Sequence, residues 1–180
     1  MNHIPNALSF FRIALIPFFV GAMLKGNTSY AAILLAISGI TDLLDGFLAR
    51  KFEWVTQMGK VLDPVADKLT QVTVCVVLAI QLSQYWSFFA VLMLKDLVMM
   101  ILGGYLLKKG MKMDGARWFG KVVTALFYVC MFFIVICPDL PEQMVMAMLS
   151  VVTGCALAAA LMYVPEFLKC YHDGPQRDEK

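Results

Sequence analysis

Residues 30–82 read YAAILLAISGITDLLDGFLARKFEWVTQMGKVLDPVADKLTQVTVCVVLAIQL, and this stretch decides the fold. It holds two apolar runs, Tyr30–Ala49 and Val61–Leu82, each close to the ~20 residues a helix needs to cross a bilayer. The linker between them, Arg50–Lys60, is short and carries Arg50, Lys51 and Lys60. Four aspartates interrupt the apolar pattern. Asp42 and Asp45 lie near the end of the first run, Asp63 and Asp67 at the start of the second. Spacings of three and four residues put each pair on one helix face. A helical hairpin therefore predicts all four carboxylates at one membrane depth.

Four further apolar runs flank this stretch: Leu8–Leu24, Trp86–Leu107, Phe119–Cys137 and Met144–Val164. Of the 180 residues 61% are hydrophobic and 16% charged. A soluble domain has roughly 45–50% and about 25%. With a mean hydropathy of +0.75, this composition excludes a disordered chain, a basic nucleic-acid-binding domain and an ordinary soluble enzyme. The expected fold is an all-α integral membrane protein, residues 1–180 forming a single domain of six transmembrane helices in one bundle. Short linkers favour antiparallel neighbours. The five cysteines form no close pair and read as small buried hydrophobic residues.

The linkers alternate in charge. Arg50–Lys60 and Lys108–Trp118 are basic, as is the tail with Lys169, Arg177 and Lys180. The intervening linkers hold only Lys25, and Pro138–Gln143 carries Asp139 and Glu142. Basic linkers stay on the cytoplasmic side. This places both termini, and the aspartate hairpin, at the cytoplasmic face of the cell membrane.

An ionisable side chain inside a span costs about 2.5–3.5 kcal/mol on insertion scales and marks a functional site by default. Four crowded carboxylates repel one another, and only Lys68 is near in sequence. Hard divalent cations with oxygen ligands, Mg2+ or Mn2+, answer that repulsion. A pair of such ions suits displacement at phosphorus. Gly46 and Ala49 leave a smooth strip beyond Asp42, Gly59 repeats it before Asp63, and Arg50 at the membrane surface suits a phosphate oxygen. Packing is the ordinary role of small residues in spans, and an ion or proton pathway is the rival explanation of buried carboxylates. Neither requires this combination of spacings.

The full pattern is Asp42-Leu-Leu-Asp45-Gly46-Phe-Leu-Ala49-Arg50, eight residues, Gly59, three residues, Asp63, three residues, Asp67. It resembles the signature of the CDP-alcohol phosphotransferase family, D-x-x-D-G-x-x-A-R-x8-G-x-x-x-D-x-x-x-D, at every fixed position. Ile4-Pro5-Asn6 with Arg12 is similar to the family's bacterial amino-terminal pattern, so the likeness covers nearly the whole chain. The resemblance implies a six-helix membrane homodimer. It also implies attack of an alcohol on a CDP-linked donor, CDP-diacylglycerol in most bacterial members, with release of CMP. On the same basis Asp42, Asp45 and Asp63 would bind divalent metal ions. Asp67 would bind the second ion and act as general base. Gly46, Ala49 and Gly59 would line the cytidine pocket, and Arg50 would hold the donor phosphates.

The segments around Asn6–Pro17 and Leu62–Lys68 are most similar to the phosphatidylglycerophosphate and cardiolipin synthase branch. The acceptor is expected to be glycerol-3-phosphate, with phosphatidylglycerol as the alternative. Phosphatidylglycerophosphate synthases carry an Arg-Glu pair in the fourth span and another Arg two turns on. This chain has Lys95-Asp96 and then Gly103, which leans toward a diester acceptor. Arg12, Lys95, Asp96, Arg117 and Lys121 form the candidate acceptor pocket, because a phosphate monoester dianion calls for two or more cations. Arg117 and Lys121 are also explained by the positive-inside bias alone.

Overall fold

The computed structural model describes the backbone of residues 4–51, 59–108 and 117–173, and the side chains of residues 7–42, 44, 65–102, 104–105, 120 and 122–165. Within these residues the chain is helical, without strands. The helices are α1 (Ile4–Leu24), α2 (Thr28–Lys51), α3 (Gly59–Gln81), α4 (Trp86–Lys108), α5 (Arg117–Ile136) and α6 (Glu142–Asp173), with a 3₁₀ turn at Ser83–Tyr85 before α4. Each expected apolar run coincides with one helix, Leu82 and Cys137 lying one residue beyond the ends of α3 and α5. The last helix overshoots its run, because α6 continues through Pro165. That residue has no N–H to donate to the preceding turn, yet it does not end the helix. Pro17 is carried inside α1 in the same way.

Among the described residues, three segments are long and apolar enough to cross a membrane: Ala7–Leu24, Ser83–Leu102 and Glu142–Pro165. Thr28–Asp42 and Val122–Ile136 are apolar but shorter.

Sharp turns join the helices at one end. Gly26 ends α1 with a φ of 71°, a left-handed conformation that glycine adopts without steric cost. Its N–H donates to Met23 O at 3.1 Å, and the Asn27 N–H donates to Ala22 O at 3.0 Å. These two bonds satisfy carbonyls that the helix end would leave open. Asn27 then caps α2, its Oδ1 accepting from the Tyr30 N–H at 3.2 Å. Two side chains tie the turns together. Gln81 Nε2 donates to Met23 O at 2.9 Å, and the Tyr85 hydroxyl donates to Glu142 O at 3.2 Å. The α1–α2, α3–α4 and α5–α6 connections therefore meet at the same end.

The principal packing among the described residues closes a ring in the order α1, α2, α5, α6, α4, α3 and back to α1. So α2 and α3 flank α1, each packing on it. Small residues on α1 and α2 let these helices approach: Ala22, Ala31 and Ala32 are buried. Phe89, Met131, Leu149 and Val152 fill the interior from the other helices. Large apolar side chains also point outward in numbers no soluble surface carries, among them Phe18, Ile80, Leu94 and Leu161. A hydrocarbon solvent removes the cost of that exposure. The four described cysteines are unbridged; Cys75 and Cys130 are buried as expected, whereas Cys137 and Cys155 are exposed, against that expectation.

Candidate active site

Four helices bring charge into the bundle. Arg12 of α1 has no exposed side-chain surface, and its Nη1 donates to Asp42 Oδ1 of α2. A buried guanidinium is tolerated only when paired, and this pair joins two helices thirty residues apart in sequence. Asp67 of α3 lies within electrostatic range of Asp42, Arg12, Lys68 and Asp96. The first and last aspartates of the motif therefore come together although α1 lies between their helices.

Beside Asp67 is a second charged group. Lys68 Nζ donates to Gln71 Oε1 at 2.8 Å and to Asp96 Oδ1 of α4 at 3.2 Å, and stands 3.9 Å from Asp67 Oδ2. Lys95 Nζ reaches the same Asp96 oxygen at 2.5 Å. Adjacent helix positions do not face each other. Lys95 nonetheless meets its neighbour because its long stem folds back over the Asp96 carboxylate. One carboxylate oxygen thus lies between two ammonium groups.

The surrounding hydroxyls are mostly satisfied within their own helices. Thr41 Oγ1 donates to Ile37 O at 2.6 Å, and Thr70 Oγ1 to Ala66 O at 2.9 Å. They leave the carboxylates free for other partners. From α5, the buried Tyr128 points its hydroxyl at Asp67 Oδ1, 3.5 Å away.

Of the expected site residues, Asp42, Asp67, Arg12, Lys95 and Asp96 are brought into one region. Arg12, expected beside the acceptor, is placed on Asp42. Asp45, Gly46, Ala49 and Arg50 lie on α2, Gly59 and Asp63 on α3, and Arg117 and Lys121 on α5. Beyond the backbone, these residues lie outside the described set, as does Gly103. Sequence reasoning missed Tyr128. The available signal was a tyrosine in an apolar run, whose hydroxyl needs a polar partner once buried.

The donor set has the chemistry of a divalent-cation site. Among the described side chains no three acidic, histidine or cysteine groups cluster as metal ligands, since two of the four expected carboxylates lie outside that set. The described charges balance, with Asp42, Asp67 and Asp96 set against Arg12, Lys68 and Lys95. Asp45 and Asp63 add two negative charges, against Arg50 as the one further cation at the motif's fixed positions, with Lys51 and Lys60 in the stretch between them. All the anionic donors are carboxylate oxygens, which suits a hard divalent ion. The residues therefore fit such an ion in kind.

The family profile described as CDP-alcohol phosphatidyltransferase matches residues 2–162. A Haemophilus influenzae protein is 34% identical over 128 residues, covering 68% of this chain and 69% of its own. An Escherichia coli K12 protein is 32% identical over 128 residues, covering 68% and 70%. A Shigella flexneri serotype 5b protein is 29% identical over 169 residues, covering 90% and 93%. All three are named CDP-diacylglycerol–glycerol-3-phosphate 3-phosphatidyltransferase.

Proposed function

The chain belongs to the CDP-alcohol phosphatidyltransferase family, and on that footing we propose that it transfers the phosphatidyl group of CDP-diacylglycerol to glycerol-3-phosphate. CMP leaves, and phosphatidylglycerophosphate is the product. The observation that carries this reading is the family match, which spans the whole Asp42–Asp67 motif, together with relatives named for this acceptor.

In this reading all six helices span the cytoplasmic membrane. Both termini and the aspartate end face the cytoplasm, where glycerol-3-phosphate and the released nucleotide are soluble. Two copies associate as a homodimer, as the resemblance implies.

Asp42, Asp45, Asp63 and Asp67 are the residues that would hold Mg2+ or Mn2+, as a pair of ions. Such ions, when bound, offset the diphosphate charge and stabilise the departing CMP. Arg50 holds the donor phosphates, and Gly46, Ala49 and Gly59 let the cytidine approach the backbone. Asp67 accepts the proton of an acceptor hydroxyl. That oxygen bonds to the phosphatidyl phosphorus as the bond from phosphorus to the CMP oxygen breaks. Lys95, Arg117 and Lys121 receive the acceptor phosphate, and Asp96 completes the pocket by holding Lys95. Arg12 serves through Asp42, whose carboxylate it holds, because it has no surface to offer a ligand.

Cardiolipin synthesis, with phosphatidylglycerol as acceptor, is the second reading, and Gly103 is what favours it. The names of the three relatives weigh against it. They weigh equally against an ion or proton pathway. The test is CMP release by purified protein from CDP-diacylglycerol with Mg2+ or Mn2+, supplying glycerol-3-phosphate and phosphatidylglycerol separately. Release with glycerol-3-phosphate and a loss of 10²–10⁴-fold in Asp67→Asn are expected. Release with phosphatidylglycerol alone would select the second reading, and release with neither would refute both.

A further inference from the structure

Tyr128 is buried on α5, in a helix otherwise rich in phenylalanine and valine. Its ring rests on the backbone of α2, where a Cβ on Gly39 would lie 3.5 Å from it. Phe127 meets the ring edge-on, with centroids 5.8 Å apart and an interplanar angle of 82°. A phenylalanine would make the same contacts. What distinguishes tyrosine here is the hydroxyl, which ends 3.5 Å from Asp67 Oδ1. Helices α5 and α3 are not neighbours in the packing ring, so Tyr128 reaches across the bundle interior to meet α3. The other oxygen of Asp67, Oδ2, has Lys68 Nζ at 3.9 Å. The carboxylate is thus flanked on one oxygen by a hydroxyl from α5 and on the other by an ammonium of its own helix.

We propose that Tyr128 is a positioning residue for Asp67: its hydroxyl, held by Gly39 and Phe127, sets the plane of the carboxylate that receives the acceptor's proton. This rests on the reading of Asp67 as general base. A carboxylate turns easily about its last torsion, and a small misplacement of a reacting group costs a large factor in rate. A neighbour on each oxygen opposes that rotation. The 3.5 Å separation is long for a hydroxyl donor, and contacts of this kind tighten when substrate fills the site. Ser38, one turn before Asp42 on α2, is a further buried neighbour of Tyr128.

Tyr128→Phe removes the hydroxyl and keeps the ring. The measurements are kcat for CMP release, KM for CDP-diacylglycerol and the melting temperature in detergent, with Asp67→Asn assayed alongside. The expected result is a fall in kcat of about 10-fold, the scale of lost outer-shell support, with KM and melting temperature unchanged. A wild-type kcat would overturn the proposal. So would a fall accompanied by a lower melting temperature or a raised donor KM, since either points to packing alone. If Asp67→Asn keeps the full rate, the reading of Asp67 itself fails. If that variant loses activity while Tyr128→Phe keeps it, only the role of Tyr128 is wrong.

Discussion

The guanidinium of Arg12, wholly buried on α1, is ion-paired with the carboxylate of Asp42 on α2. Asp42 opens the family motif, and Arg12 lies thirty residues before it. The pair fixes one carboxylate of the site from a helix that carries none of the motif. It also gives α1 a role beyond packing, because α1 is the helix on which both α2 and α3 rest.

Removing the arginine should therefore be worse than shortening it. Arg12→Met leaves Asp42 without its cation in an apolar setting, at a cost on the order of 3 kcal/mol for breaking a buried pair. The expected outcome is a clear drop in melting temperature in detergent together with loss of CMP release. Arg12→Lys should recover part of the stability, since it restores the charge without the planar fork. Equal melting of Arg12→Met and wild type would show that the pair contributes nothing.

Chelation should abolish turnover. Stripping divalent ions with EDTA is expected to reduce CMP release to background, and added Mg2+ or Mn2+ should restore it. The aspartates then repel one another uncompensated, so the melting temperature should fall with the activity. Turnover that persists in EDTA would remove the metal from the mechanism.

The Lys95 ammonium shares an Asp96 oxygen with Lys68. If it belongs to the acceptor pocket, Lys95→Met should raise KM for glycerol-3-phosphate about 10-fold, the size of one charge-assisted contact. KM for CDP-diacylglycerol should not change. A rise in both constants, or in neither, would take Lys95 out of the pocket.

Gly26 tests the fold apart from the chemistry. A Cβ there meets nothing within 4 Å, but φ is +71°. Gly26→Ala should cost about 1 kcal/mol from the left-handed backbone alone. That corresponds to a melting shift of roughly 2–4 °C for a chain of this size. The rate of CMP release should be that of wild type, because the turn lies at the end opposite the aspartates. A variant as stable as wild type would mean the turn relaxes into another conformation.

Much of the helix pattern was legible in residue order. Gaps between apolar runs located the turns, and Asn27 and Gly26 stand where a cap and a helix stop are needed. The end of α6 was not legible, since a proline inside a span reads as a stop and α6 passes through Pro165. Neither was the order of helices around the ring. In lipid, Leu78 facing the core and Ile80 facing outward satisfy their surroundings equally well. Apolar periodicity therefore does not mark which face packs.

The site divides along the same line. By itself the sequence determined that carboxylates, small residues and an arginine recur at helical spacing in an apolar chain, because ionisable groups in a span are too costly to be incidental. Only the tertiary structure decided what those groups touch: Arg12 on Asp42, Asp96 between Lys68 and Lys95, Tyr128 at Asp67. Helical spacing is a local property, set by 3.6 residues per turn. Apart from Lys95 and Asp96, neighbours on α4, these contacts join residues 28 to 61 apart in sequence on different helices, and their partners are chosen by how the six helices close into a ring.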